Sequence, residues 1–294
     1  MSGATRFAPA PTGHLHLGHV ANALYVWGLA AVTGRRVVLR IEDHDRQRSR
    51  AAFEADLLED LDWLGFRAVD GPWRQSDDGP VYEAALELLR FNGLAYGCDC
   101  TRTTFATWAR EHGRGWSGGG CPGGCRAQDL ADRPGVALRV ALGDGTEAWD
   151  DLRLGPQLDV PDRHGDLLAR DRAGNWTYPF CVVVDDHRQD IDLVVRGEDL
   201  LDATARQIRL ARLLGRNVPP AFYHHPLVRK AGGAKLSKAD RDTSVRELRA
   251  AGRTAPELIG EAAAAVGLVA AARPLPADAA GDLFAAVSPP EGRP

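Results

Sequence analysis

The 294 residues carry 36 basic and 40 acidic side chains, a formal charge of −4, with 44% hydrophobic and 26% charged residues. That balance excludes disordered, collagenous and disulfide-scaffold chains, and the length suits one large domain with a small insert. The basic residues divide into 33 Arg and 3 Lys, and all three lysines, Lys230, Lys235 and Lys238, fall within nine positions. Genome composition explains the scarcity of lysine but not its clustering.

Residues 6–8 and 36–41 read as the first strands. Between them, residues 17–33 place Val20, Leu24, Trp27 and Ala31 at helical spacing and stop at Gly34. Ser49 is placed to cap a helix reaching Leu64, and Asp78 with Pro80 opens another that Gly93 closes. This alternation is the rhythm of a parallel α/β sheet. From 96 to 134 the texture changes to four cysteines and a Gly-Gly-Gly run without sustained periodicity. Runs at 136–141, 166–170, 180–184 and 193–196 read as strands. They lead into a helix over 199–214 that exposes Arg206, Arg209 and Arg212, with Arg216 just beyond. A weak helix is expected at 256–266 and a mobile tail over 288–294.

The opening residues, MSGATRFAPAP, have no basic stretch followed by an apolar core, so no export signal is expected. The longest apolar run, residues 20–32, has 13 residues and is broken by Asn22 and Gly28. It falls short of the roughly 20 that span a bilayer as a helix. The expected location is cytoplasmic, with no membrane partner, and the five cysteines read as reduced thiols.

Cys98 and Cys100, then Cys121 and Cys125 after 20 intervening residues, give two close pairs of thiolates, enough for one tetrahedral zinc. Pro122, Gly123 and Gly124 form the kind of tight turn that lets flanking sulfurs face one ion. With all four ligands from the protein, no position remains for an activated water, so the expected Zn²⁺ is structural. Cys181, in an apolar run, reads as a buried small side chain.

His16-Leu17-Gly18-His19 follows a strand and a Pro-Thr-Gly turn and opens the first long helix, which sets two imidazoles and exposed N–H groups at a helix N-terminus, an anion site. Far along the chain, Gly232-Gly233-Ala234-Lys235-Leu236-Ser237-Lys238 is a glycine-led loop with two ammonium groups three apart, suited to neutralising a phosphate chain.

These two motifs resemble the signatures of class I aminoacyl-tRNA synthetases. The flanking text, Arg6-Phe-Ala-Pro-Ala-Pro-Thr-Gly, Arg40-Ile-Glu-Asp, Tyr178 ahead of Val182-Val-Val-Asp-Asp, and Val195-Arg-Gly-Glu-Asp, is similar in order to the glutamyl-tRNA synthetases over residues 5–240. Only 56 residues follow Lys238, too few for a large helical anticodon-binding region. On that ground the chain resembles most the truncated glutamyl-Q tRNA(Asp) synthetase branch. The implied fold is α/β, a Rossmann-like parallel-sheet catalytic domain over 1–95 and 135–230 with a zinc-binding insert at 96–134. Residues 231–294 would carry the lysine loop and a short helical segment, with no anticodon-binding domain.

The resemblance implies ATP-dependent activation of L-glutamate and its transfer to queuosine in the anticodon of tRNA(Asp), with Mg²⁺ accompanying ATP. It casts His16, Gly18, His19 and Lys238 against ATP, with Lys235 and Lys238 stabilising departing pyrophosphate. Arg6, Ala8, Ala10, Glu42, Tyr178 and Arg196 are cast against glutamate: the two arginines would offer two-pronged contacts to carboxylates, and Glu42 would meet the ammonium. Ala10 stands where the family commonly has serine, Pro179 where asparagine usually follows the tyrosine, and Cys121 where a tyrosine is seen among the zinc ligands. A monomer is expected. Arg102, Arg110, Arg114 and Arg126, with the arginines of the 199–214 helix, are candidates for a local basic surface facing RNA. Two alternatives are a minimal enzyme charging the 3′ end of tRNA(Glu) and a noncatalytic glutamate- or tRNA-binding paralogue.

Overall fold

The structure, a computed structural model, describes residues 3–112, 120–128, 130–228 and 243–287. In chain order the strands and α-helices are β1 (Ala4–Phe7), α1 (Leu17–Thr33), β2 (Arg36–Ile41), α2 (Ala51–Leu64), β3 (Asp70–Arg74), α3 (Gly79–Phe91), β4 (Ala95–Cys98), α4 (Arg102–Glu111) and β5 (Ala137–Val140). There follow β6 (Glu147–Asp151), β7 (Gly155–Asp159), β8 (Leu167–Arg170), α5 (Tyr178–Arg188), β9 (Leu193–Gly197), α6 (Thr204–Leu213), β10 (Ala221–His225), α7 (Val245–Ala250) and α8 (Ala255–Ala265).

β1, β2 and β3 form a parallel ladder, and β9, β10 and β6 form another, with β7 antiparallel at its edge. A parallel bridge between Ala4 and Ile191, with Asp192 N donating to Ala4 O at 3.0 Å, joins the two. Strand order across the joined sheet is therefore β3-β2-β1-β9-β10-β6-β7. The chain leaves β1 in one direction for β2 and β3, and later returns on the other side of β1 as β9 and β10. That reversal opens a crevice at the carboxyl ends of β1 and β9, where α/β sheets bind ligands.

α1 is buried nearly all round because the sheet covers one side and α8, with the 3₁₀ segment Ala277–Phe284, covers the other. Gly28 makes this closeness possible: a Cβ there would stand 2.3 Å from the Phe284 ring. A separate three-stranded antiparallel sheet, β4-β5-β8, packs on α3 and α5 through Tyr82, Leu86, Leu138, Val140 and Phe180. It carries the cysteine lobe, since Cys98 is the last residue of β4.

The expected α1 and β2 have the bounds read from sequence. Residues 180–184, expected as a strand, lie instead in α5. The valine run suits a helix buried on most sides as well as a strand, and Pro179 in the first turn, where a missing N–H costs nothing, is the start signal. Ser49 does not cap α2: Arg50 holds the cap position, and the buried Ser49 hydroxyl makes no hydrogen bond among the described residues. Asp78 precedes α3 without capping it, because its carboxylate pairs with Arg188. The helix expected over 199–214 begins as a 3₁₀ turn, Glu198–Ala203, before α6. The insert has regular structure of its own in α4, which Thr101 and Thr104 start with reciprocal caps. The tail over 288–294 lies outside the described residues.

Candidate active site

His16 is the N-cap of α1. Its Nδ1 accepts from Gly18 N at 3.1 Å, while His19 Nδ1 accepts from His16 N at 3.1 Å. Both rings therefore use Nδ1 as an acceptor, which in the neutral imidazole leaves the proton on Nε2 as a donor. The ring centroids are 4.0 Å apart. Gly18 leaves this ring its room, since a Cβ would stand 2.9 Å from His16 Cε1 and push the imidazole aside. No acidic residue occupies the first turn of α1, so its N-terminal partial charge is not cancelled by a carboxylate there.

The glutamate-type residues converge at the carboxyl edge of the sheet. Arg6 lies in β1, Glu42 directly after β2, Arg196 in β9 and Tyr178 at the start of α5. Their charges act on one another: Glu42 feels Arg40, Arg6 and Asp186, and Tyr178 feels Glu42, Arg196 and Arg6. Burial pushes the Glu42 carboxyl up to about 7, although Arg40 and Arg6 oppose the shift. Ala8 and Ala10 are half-buried in the turn between β1 and α1, and Pro9 O anchors Glu42 N at 3.1 Å.

The arginines are more committed than the sequence reading expects. Arg6 Nε donates to Asp186 at 3.1 Å and its NH1 to Val195 O at 3.2 Å. Arg196 donates from Nε to His224 Nε2 at 3.1 Å, from NH1 to Gln207 at 2.5 Å and from NH2 to Thr204 at 2.7 Å. Tyr178 is a further hydrogen-bond neighbour of this guanidinium, so its five N–H groups are largely engaged within the chain.

Sequence reasoning assigned no role to Arg40, Asp185, Asp186, Asp151 or His224. Arg40 is fully buried, with NH2 on Asp186 at 2.7 Å and on Gln189 at 2.6 Å. Asp185 receives Gln75 at 2.8 Å and Tyr82 at 3.0 Å. The signals were an arginine inside an apolar strand and an acidic pair closing an apolar run.

The four predicted cysteines come together: their sulfurs all lie within 4.8 Å of one another, with Cys100 3.8 Å from Cys121 and 3.3 Å from Cys125. A tetrahedral ion with bonds of about 2.3 Å separates sulfurs by about 3.8 Å, so this donor set fits zinc. Cys98, Cys121 and Cys125 are buried, and Gly123, at φ 95°, makes the turn that folds the last two inward. Asp166 fastens the lobe, pairing its backbone with Cys121 and taking both prongs of Arg126 at 2.6 and 2.9 Å.

The arginines of α6 and Arg216 make bonds within the chain. Arg209 and Arg212 both bind Glu147, Arg206 donates to Gly165 O, and Arg216 donates to the carbonyls of Asp186 and Ile191. Arg126 is likewise spent on Asp166, while Arg102 and Arg110 are exposed. Arg114, Lys230, Lys235 and Lys238 lie outside the described residues, as does the rest of the lysine loop. Ser244 pairs with His16 in an antiparallel bridge. Among the described residues, no helix is long and apolar enough to cross a membrane.

The family model described as tRNA synthetases class I (E and Q), catalytic domain, matches residues 4–116 and 133–267. The chain belongs to this family. Cys121 and Cys125 fall in the gap between the matched segments. The chain is 40% identical over 281 residues to a Glutamyl-Q tRNA(Asp) synthetase of Symbiobacterium thermophilum, covering 90% of this chain and 86% of that one. A protein of the same name from Rhodobacter capsulatus is 39% identical over 276 residues, covering 86% and 97%. Among solved structures, a glutamate tRNA ligase from Elizabethkingia meningosepticum in complex with its amino acid superposes with a TM-score of 0.73 at 27% identity. That match covers 90% of this chain but only 60% of the ligase.

Proposed function

We propose that this chain activates L-glutamate with ATP and transfers it to the queuosine base in the anticodon of tRNA(Asp). The observation that carries the reading is the near full-length match to two relatives of that name, against partial coverage of a glutamate tRNA ligase. The converged Arg6, Glu42, Tyr178 and Arg196 support an amino-acid substrate with two carboxylates and one ammonium.

In the first step a glutamate carboxylate oxygen attacks the α-phosphorus of ATP, and the bond to the bridging oxygen breaks as pyrophosphate leaves. His16 and His19 suit this step as neutral Nε2–H donors to phosphate oxygens at a helix N-terminus. Lys235 and Lys238 are assigned to the departing pyrophosphate, and Mg²⁺ would accompany ATP, supplying charge neutralisation to the phosphates. Arg6 and Arg196 orient carboxylates, Glu42 meets the ammonium, and Ala8, Ala10 and Tyr178 line the pocket. Gly18 leaves room for the ring of His16, which is assigned to the nucleotide. In the second step a hydroxyl of the queuosine cyclopentenediol attacks the adenylate carbonyl, an ester forms, AMP leaves and the hydroxyl proton is released. Cys98, Cys100, Cys121 and Cys125 would hold one structural Zn²⁺, fixing the lobe on β4 and β8.

Incubation with ATP, Mg²⁺ and labelled glutamate should label queuosine-containing tRNA(Asp) and not the same tRNA carrying guanine in place of queuosine. Label on the 3′ ribose of tRNA(Glu) instead, or absence of glutamate-dependent pyrophosphate exchange, would overturn the proposal.

A further inference from the structure

A fully buried chain of groups stands behind Arg196. Asp151 lies at the end of β6 and His224 in β10, the strand between β6 and β9. Asp151 Oδ2 accepts from His224 Nδ1 at 2.6 Å and from His224 N at 3.1 Å, while its Oδ1 accepts from the amides of Arg153 and Leu154 at 3.0 and 2.9 Å. The carboxylate is thus fixed by four donors, three of them main-chain. His224 is completely buried, and its Nε2 faces Arg196 Nε at 3.1 Å and Thr204 Oγ1 at 3.2 Å.

This pattern decides the proton on the ring. A guanidinium Nε can only donate, so His224 Nε2 must accept, and the imidazole proton sits on Nδ1, where Asp151 takes it. A carboxylate that orients a histidine, which in turn holds a third group, is the geometry that elsewhere fixes a ring's tautomer and direction. Here the third group is an arginine that reaches the edge where Tyr178, Arg6 and Glu42 converge, with Tyr178 itself hydrogen-bonded to the guanidinium. Thr204 and Gln207 hold the terminal nitrogens, but both belong to α6, whereas the Nε contact comes from the sheet. Loss of the His224 acceptor would leave one edge of a buried guanidinium without its partner and let the fork tilt.

We propose that His224, oriented by Asp151, is a positioning residue that sets the angle at which Arg196 presents its fork to a substrate carboxylate. The inference rests on the proposed glutamate-activating function and deepens it. His224 touches no reacting atom in this scheme. Its effect is therefore on the affinity for the amino acid, not on the nucleotide or on the chemical step.

The test is glutamate-dependent pyrophosphate exchange, with direct calorimetric titration of glutamate, on the full chain carrying His224→Leu, His224→Gln or Asp151→Asn. His224→Leu removes the acceptor and should raise KM and Kd for glutamate roughly ten- to hundredfold, with KM for ATP and kcat changing less than about threefold. His224→Gln offers an amide oxygen near the position of Nε2 and should recover a large part of that loss. Asp151→Asn should fall between the two. Equal increases in KM for glutamate and ATP, an unchanged KM for glutamate in His224→Leu, or no recovery in His224→Gln would overturn the proposal. A wild-type chain that binds glutamate but does not glutamylate tRNA(Asp) overturns the proposed function while calorimetry still decides the role of His224. A wild-type chain that does not bind glutamate overturns both.

Discussion

His16 and Ser244 face each other in an antiparallel bridge, so the residue that caps α1 is tied to the residue that caps α7. Val245 N donates to Leu15 O at 2.8 Å beside it. Ser244 and Glu247 cap each other reciprocally, with Ser244 N 2.7 Å from Glu247 and Glu247 N 3.2 Å from Ser244 Oγ. Replacing Ser244 by Ala should cost about 1 kcal/mol and lower the thermal midpoint by about 2–4 °C, read by differential scanning calorimetry. An unchanged midpoint would mean that α7 does not need its cap.

The proposed contact between Glu42 and the substrate ammonium predicts a pH-dependent affinity for glutamate. Its carboxyl, raised by burial to about 7, is largely protonated below that pH, whereas a contact with the substrate ammonium needs the carboxylate. KM for glutamate should therefore fall as pH rises through about 7, and Glu42→Gln should raise KM at pH 8 and flatten the profile. The sign for stability runs the other way. A folded-state value above the usual 4.5 favours the fold fully below about 4.5, and that contribution is lost as pH rises through about 7. Glutamate should thus stabilise the protein most on the alkaline side, measured as the ligand-induced rise in thermal midpoint at pH 6 and pH 8.

Asp60, in α2, is wholly buried, and among the described residues neither carboxylate oxygen has a hydrogen-bond partner. Burial raises it to about 6, with Arg246 opposing and Asp56 and Glu59 adding to the shift. Stability from this group is present below about 3.8 and disappears as pH climbs through about 6. Asp60→Asn, which cannot ionise, should be more stable than the wild type at pH 8, with the difference shrinking as pH falls towards about 4, in urea unfolding. A variant less stable at pH 8 would show that the carboxylate has a partner in solution.

One zinc per chain is expected by elemental analysis, lost in Cys98→Ser and Cys125→Ser. Removal with a chelator should loosen the lobe, seen as faster amide exchange over residues 98–128, because thiolate coordination is folding energy for a segment with a small apolar core. A protein purified without metal, with amide exchange in the lobe unchanged by added zinc, would contradict this.

Local signals in the sequence were sufficient for α1, whose apolar spacing and Gly34 stop give its bounds, and for the cysteine cluster, whose four sulfurs need only fold to one point. Residues 180–184 were misread because a short valine run carries no period of its own, and what decides between strand and helix is the packing of α5 against β8 and α6. The intrachain partners of the α6 arginines were not legible in the sequence for a different reason. Helical spacing shows that they share a face, but their partners, Glu147 and Gly165, lie 41 to 65 residues away and belong to other elements. The same limit hid His224 and Asp151, 73 positions apart and adjacent only once β10 lies beside β6.

α1 begins with two imidazoles and has no acid in its first turn, so no carboxylate of that turn offsets the positive end of the helix dipole. A nucleotide bound there would complete the helix electrically, making the central element of the core partly a ligand-dependent structure. Saturation at about a hundred times Kd is worth about 2.7 kcal/mol of global stability. In a protein whose α1 contacts both the sheet and α8, that gain would spread far beyond the binding crevice, and it would shrink as added salt screens the triphosphate.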